Sequence, residues 1–441
     1  MLSRSGAVFI SAVCVLIEFL AAAAWPQQMS NIERGRAQVM LQVAANEVRK
    51  HYYDPKFHGL DWNAKIVEAK KKINDAKSFN MAMSNIAAML DSLHDSHTFL
   101  LPPEHAYHFD FGWQYQIIGE RCFVTEVRSK SDAETKGLKT GDEVLTINGY
   151  TPSRDDLWKM QYVFSILRPQ PELQLLLQDP AGKQRQVAVA SKIREFKHVT
   201  DLTGEDGASD IWDLIRQDET QEHLMRVRYA EFGDALLILK MPQFSASPIE
   251  VAGMIDKARK HKALILDLRG NEGGNVDTLN HLIAGMFDKG VKIGDLVGRK
   301  ESKPQITKGS RNPFTGKLVV LVDSQSASAA EIFARVMQIE KRGLVVGDHT
   351  SGSVMEARHY DEKMGADTLI FYGISVTEAD LIMTDGKSLE HTGVTPDQIL
   401  LPSPSALAAG RDPVLARTAE ALGVNLTSDA AGKLFPYEWT E

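Results

Sequence analysis

Two residue patterns in this chain could carry covalent chemistry. The first is Ser326-Ala327-Ser328-Ala329-Ala330-Glu331. It follows an apolar strand and opens a helix. Small neighbours admit a substrate to Ser328, and the N–H of Ala329 can help hold an oxyanion. The same spacing, Ser328-x-x-Glu331, is also a helix capping box. The second is the glycine-rich turn from Asp267 to Gly274, where a buried strand ends and a helix begins. Exposed N–H groups and a helix N-terminus suit an anion or an oxyanion there. The turn lacks the Lys-Ser/Thr of a phosphate loop.

A nucleophilic hydroxyl needs a base, and a histidine base needs an orienting acid. Of 13 histidines, His97 in Asp95-Ser96-His97-Thr98 lies between polar residues at a predicted helix end. It can serve as a general base, whereas His94 reads as structural. Glu390, in the turn-rich stretch Leu389 to Asp397, can orient such a base. Taken singly, each of these also has an ordinary reading as a cap, a loop histidine or a turn.

The elements that must position them follow from periodicity. Residues 28–104 read as a helical region, with Leu41, Ala44, Val48 and Tyr52 on one face and Ile86, Leu90 and Leu93 on another. Residues 107–197 change period, with strands at Cys122–Val127 and Glu143–Ile147 and a tight turn at Asn148-Gly149. Residues 198–233 read as a linker or insertion, with eight acids and one base between 201 and 222. Residues 234–441 alternate strand and helix. Strands are expected at 235–239, 263–268, 318–322 and 344–346, and helices at 249–260, from Val276, and at 329–339. Late strands follow at 369–376 and 381–384. This pattern argues a mostly parallel α/β core.

Composition excludes whole classes. The 441 residues are 43% hydrophobic and 24% charged, which suits a soluble globular protein. A net charge of -8 gives no long-range attraction for nucleic acid. Residues 1–24 read as a secretory signal, with Arg4, an apolar run from Ala7 to Leu20, and Ala21–Ala24 as the cleavage site. An uncleaved N-terminal anchor is the alternative. Cleavage would leave Cys122 as the sole cysteine and no membrane span. Export implies the periplasm in a Gram-negative source, and otherwise an extracellular or anchored protein.

Ser131 to Gly149, SDAETKGLKTGDEVLTING, resembles a PDZ domain. In this order the motifs together resemble the carboxyl-terminal-processing (tail-specific) serine peptidases and their tricorn-like relatives. The resemblance implies an α/β core of the crotonase-like or ClpP-like βαβ kind, an N-terminal helical region and an inserted PDZ-like domain. It makes Ser328 the nucleophile. Processing peptidases pair it with a lysine, but that position here is Ser353, and no lysine lies between Gly343 and Glu362. The tricorn-like pattern maps onto Ser328, His97 and Glu390, with Ala329 and either Gly273 or Gly274 as the oxyanion hole. His349 is a competing base. Phe111-Gly112-Trp113 would be the loop that receives a substrate carboxylate. The implied function is hydrolysis of peptide bonds in exported proteins. Its partner is a protein or peptide, with no metal or organic cofactor, and the oligomeric state stays open. The alternative is a silent peptide-binding scaffold, motivated by the missing lysine.

Overall fold

A computed structural model describes residues 29–103, 107–195, 223–300, 302–365 and 369–439. The export signal expected at 1–24 and most of the expected linker lie outside these residues.

The chain opens with helices Asn31–His51, Trp62–Asp75 and Phe79–Asp91. Ser30, Asp61 and Ser78 cap them, each accepting from a first-turn N–H. Leu41, Ala44, Val48, Ile86 and Leu90 are buried together, as their spacing predicts. Strands are numbered in chain order. β1 (Phe99–Leu101) and β2 (Tyr107–Asp110) lead into an antiparallel sheet of β3 (Trp113–Ile118), β4 (Arg121–Val127), β5 (Glu143–Ile147), β6 (Glu172–Gln178) and β7 (Gln184–Ala190). Short helices Asp132–Thr135 and Leu157–Tyr162 pack on it, and β8 (Lys192–Glu195) returns to pair with β2. Asn148 and Gly149 both have positive φ, 51° and 84°, which a tight hairpin turn requires.

The core sheet contains β9 (Arg228–Phe232), β10 (Leu236–Lys240), β11 (Ala263–Asp267), β14 (Lys317–Val322), β15 (Leu344–Gly347) and β18 (Gln398–Ile399). Its order is β18-β15-β14-β11-β10-β9, parallel throughout except at β9. Arg228–Phe232, inside the expected linker, is thus an edge strand of this sheet. Side chains alternate between two cores. Leu237, Leu239, Leu264, Leu266 and Val320 face helices Pro248–Ala258, Val276–Ala284 and Ala329–Ile339. Leu236, Ile238, Ile265, Val319 and Leu321 face helix Pro413–Ala421. Burial on both faces explains the nearly unbroken apolar runs of these strands.

A third sheet holds β12 (Lys292–Gly298), β13 (Ser302–Ile306), β16 (Met355–Met364), β17 (Ile370–Met383) and β1. The two late strands expected at 369–376 and 381–384 are one strand of 14 residues. The polar stretch Thr377–Asp380 does not break it, because Thr377 bonds Asp95 and Asp380 accepts from Ser388. Tyr372, Ile374 and Val376 of β17 pack under the N-terminal helices.

Candidate active site

Ser328 sits where β14 gives way to helix Ala329–Ile339. The turn between them is tied down before the serine is reached. Asp323 Oδ1 accepts from the N–H groups of Gly270 (2.9 Å), Gln325 (3.1 Å) and Ser326 (3.1 Å). The Ser326 hydroxyl is buried and donates to the Leu268 carbonyl at 2.8 Å. Ser328 itself has φ 52° and ψ -116°, a conformation costly for a residue with a Cβ. Such strain is typical of a serine lifted to the top of a strand-to-helix turn.

Glu331 takes up the donors around that turn. Its carboxylate accepts from the N–H groups of Ser328 (3.1 Å), Gly352 (2.8 Å) and Ser353 (2.9 Å), and from the Thr350 hydroxyl (2.5 Å). Burial pushes its carboxyl up to about 7, while these four donors pull the other way. The motif's glutamate therefore joins the serine helix to the 350–353 loop as well as capping the helix.

His97 is fixed by the loop that leaves helix Phe79–Asp91. Asp95 is buried, and its Oδ1 accepts from the N–H of His97 (3.0 Å), the N–H of Thr98 (2.7 Å) and the Thr377 hydroxyl (2.6 Å). This pins the loop to β17. Burial holds His97 below the ordinary histidine pKa of 6.5; Asp95 pulls the other way, and His359 adds to the lowering.

Glu390 does not touch the imidazole. The Ser96 hydroxyl lies between them, 2.7 Å from His97 Nδ1 and 2.9 Å from Glu390 Oε2. The Ser96 N–H donates to Glu390 Oε1 at 2.7 Å. Glu390 Oε2 also accepts from the Val354 N–H at 2.9 Å. Burial raises the Glu390 carboxyl above its ordinary range, opposed by these donors.

One peptide unit joins the two halves of the site. The Ser328 N–H donates to the Ser353 carbonyl at 2.9 Å, and the N–H of that same peptide belongs to Val354. Two hydrogen bonds and one peptide width separate the Ser328 backbone from Glu390, about 8 Å at most. Ser328, Ser96, His97 and Glu390, up to 294 residues apart in sequence, thus meet in one region. Among the described residues no hydrogen bond joins the Ser328 hydroxyl to His97. In unliganded sites such bonds are often long and tighten with substrate.

The glycine turn lies against the serine. A Cβ on Gly273 would stand 2.7 Å from Ser328 Cβ and 3.1 Å from the Ala329 nitrogen. The Gly273 N–H is already committed to Asn271 Oδ1 at 2.8 Å, which leaves Gly274 as the glycine donor on that side. Asn271 is wholly buried; its side-chain amide donates to the Met241 carbonyl and its backbone carbonyl accepts from the Ala327 N–H. His349 Nδ1 lies 3.4 Å from the Thr395 hydroxyl, and among the described residues no hydrogen bond joins His349 to Ser328. Phe111 and Trp113 line a cleft beside β3, and the Gly112 N–H is taken by Asp110 Oδ1 at 2.9 Å. Sequence reasoning missed Ser96, Asp95, Asn271 and the wider role of Glu331. A serine beside a candidate histidine carries no signal of its own.

The fold is that of known peptidases. Mature CPAF complexed with lactacystin superposes with a TM-score of 0.63 at 16% identity, covering 86% of this chain and 96% of that one. The photosystem II D1 C-terminal processing protease gives 0.52 at 20% identity, covering 90% and 99%. Residues 235–400 match the model of peptidase family S41. A C-terminal processing peptidase of Tetradesmus obliquus is 25% identical over 433 residues, spanning 94% of this chain and 85% of the relative. Carboxyl-terminal-processing peptidase 1 of Arabidopsis thaliana is 24% identical over 345 residues, 74% of this chain. The match spans 64% of that relative's own length, just under two thirds.

Proposed function

We propose that the chain is a serine endopeptidase that uses Ser328 as nucleophile and His97 as general base. The observation that carries this is the shared Ser353–Val354 peptide. It binds the Ser328 N–H on one side and the carboxylate that governs His97 on the other.

With Glu390 ionised, the hydrogen bonds support one tautomer. Glu390 accepts at Oε2, so the Ser96 hydroxyl spends its one proton there. Ser96 Oγ must then accept from His97 Nδ1–H, which leaves Nε2 bare and basic. Nε2 takes the Ser328 proton as Oγ attacks the scissile carbonyl. The same proton passes to the leaving amine, and a water repeats the cycle on the acyl-enzyme. Imidazolium formed on the way is stabilised by Glu390 through Ser96. The N–H groups of Ala329 and Gly274 face the developing oxyanion. Ser353 supplies no base, so the missing lysine is replaced by the histidine arm.

The 107–197 unit would act as a PDZ-like domain, adding a substrate segment along the open edge of β3. Substrates would be exported proteins, and residues 1–24 would direct the enzyme out of the cytoplasm. Mass spectrometry of the mature N-terminus tests export, with Trp25 as the expected start. Incubation with an unstructured protein, followed by mass analysis of the products, tests the activity. New internal termini should form with the wild type and not with Ser328→Ala. Intact substrate with both proteins, together with retained peptide binding, would favour the silent scaffold.

A further inference from the structure

Edge strand β3 pairs only with β4 among the described residues, so its other edge is open. That edge faces helix Leu157–Tyr162 and the turn after it across a cleft of about 300 Å³ lined by Tyr115, Gln161 and Phe164. The cleft is not vacant along its whole length, because Tyr437, Glu438 and Trp439 form one of its walls. Tyr437 and Glu438 also line a second cleft of about 610 Å³, which reaches Gly270, Glu272 and Gln325 beside the Ser328 turn. The segment therefore stands between the groove and the approach to the candidate site.

Three arginines hold it there. Arg226 clamps the Glu438 carboxylate through two bonds of 2.8 Å. Arg228, on β9, donates to the Pro436 carbonyl at 2.8 Å. The Arg128 guanidinium lies 4.5 Å from the Trp439 ring centre, and Tyr437 packs edge-on to that ring at 4.8 Å. Arg128 belongs to the groove, since its N–H donates to the Gly112 carbonyl. One face of the segment is thus tied to the core sheet and the other to the loop expected to receive substrate. Tyr437 remains 46% exposed, so the hold is partial and can be exchanged.

We propose that residues 436–439 are a strap bound in cis across the peptide groove, displaced by substrate segments that carry aromatic residues in the same spacing. This rests on reading residues 107–197 as a peptide-capturing domain. A strap in cis competes at an effective concentration in the millimolar range, so it should mask the groove strongly.

The test uses a fluorescein-labelled peptide with the sequence of residues 433–439, read by anisotropy against full-length protein. Tyr437→Ala/Trp439→Ala should bind it at least about tenfold more tightly than wild type. Trp439→Phe, which keeps a ring against Arg128, should resemble wild type. Equal affinity in all three proteins, or no binding to the double variant, overturns the strap. An unrelated aromatic peptide that binds wild type and double variant alike also overturns it and leaves groove capture standing. If no peptide binds any variant, both readings fall.

Discussion

Ser96→Ala removes the side chain that, among the described residues, links Glu390 to His97. The hydroxyl makes two bonds, of 2.7 Å to Nδ1 and 2.9 Å to the carboxylate. The Ser96 N–H still holds Glu390 Oε1 at 2.7 Å, and Val354 still holds Oε2, so the carboxylate should stay in place. His97 stays clamped through its backbone by Asp95. What is lost is the charge-assisted path that fixes the tautomer and supports imidazolium. Hydrogen bonds to charged groups contribute about 1.5–3 kcal/mol, which corresponds to a loss of roughly 10- to 150-fold in kcat/KM. The loss should fall on kcat with KM little changed, because Ser96 acts through its bonds to His97 and Glu390. Ser96→Thr restores the hydroxyl and should recover most of the rate. The assay is initial rate on a fluorogenic unstructured protein across pH 5–9. A Ser96→Ala enzyme within twofold of wild type, alongside an inactive His97→Ala, would refute the relay.

Other outcomes follow from the same geometry. Burial lowers the His97 pKa, and the base must be neutral, so the acid limb of kcat/KM should lie below pH 6.5. The same shift contributes stability that is present above pH 6.5 and is lost as the pH falls toward the lowered value, which urea titrations at several pH values would detect. Gly273→Ala places a methyl 2.7 Å from Ser328 Cβ at a φ of 100°. It should cost about 1–3 kcal/mol in stability and most of the turnover, measured by thermal unfolding and initial rate. Glu331→Gln swaps one acceptor oxygen for an amide that cannot accept, leaving two of four donors unmatched. Thermal unfolding should show a loss of about 2–4 kcal/mol.

The core was legible because its strands are buried on both faces. Leu264–Leu266 and Leu318–Val322 read as apolar runs, and helix Ala329–Ile339 was predicted residue for residue. β16, with the sequence MEARHYDEKM, carries no such run. It forms by antiparallel pairing along most of β17, the next strand in the chain, and such cross-strand partners leave no local apolar pattern. β17 was split in two for the same reason: its polar centre is satisfied by Asp95 and Ser388, far away in sequence or across a turn. The serine motif and the histidine were visible as residue types in context. Ser96 and Asn271 were not, because their roles depend on which oxygen they meet after folding.

The proposed site requires Ser328 and His97 to act as one unit. The most direct measurement compares single-turnover cleavage of an unstructured protein by wild type, Ser328→Ala and His97→Ala at pH 7.5. Both variants should lose activity to a similar extent, at least about a thousandfold, because neither residue works alone. Near-wild-type cleavage by His97→Ala, still abolished by Ser328→Ala, would show that another group is the base.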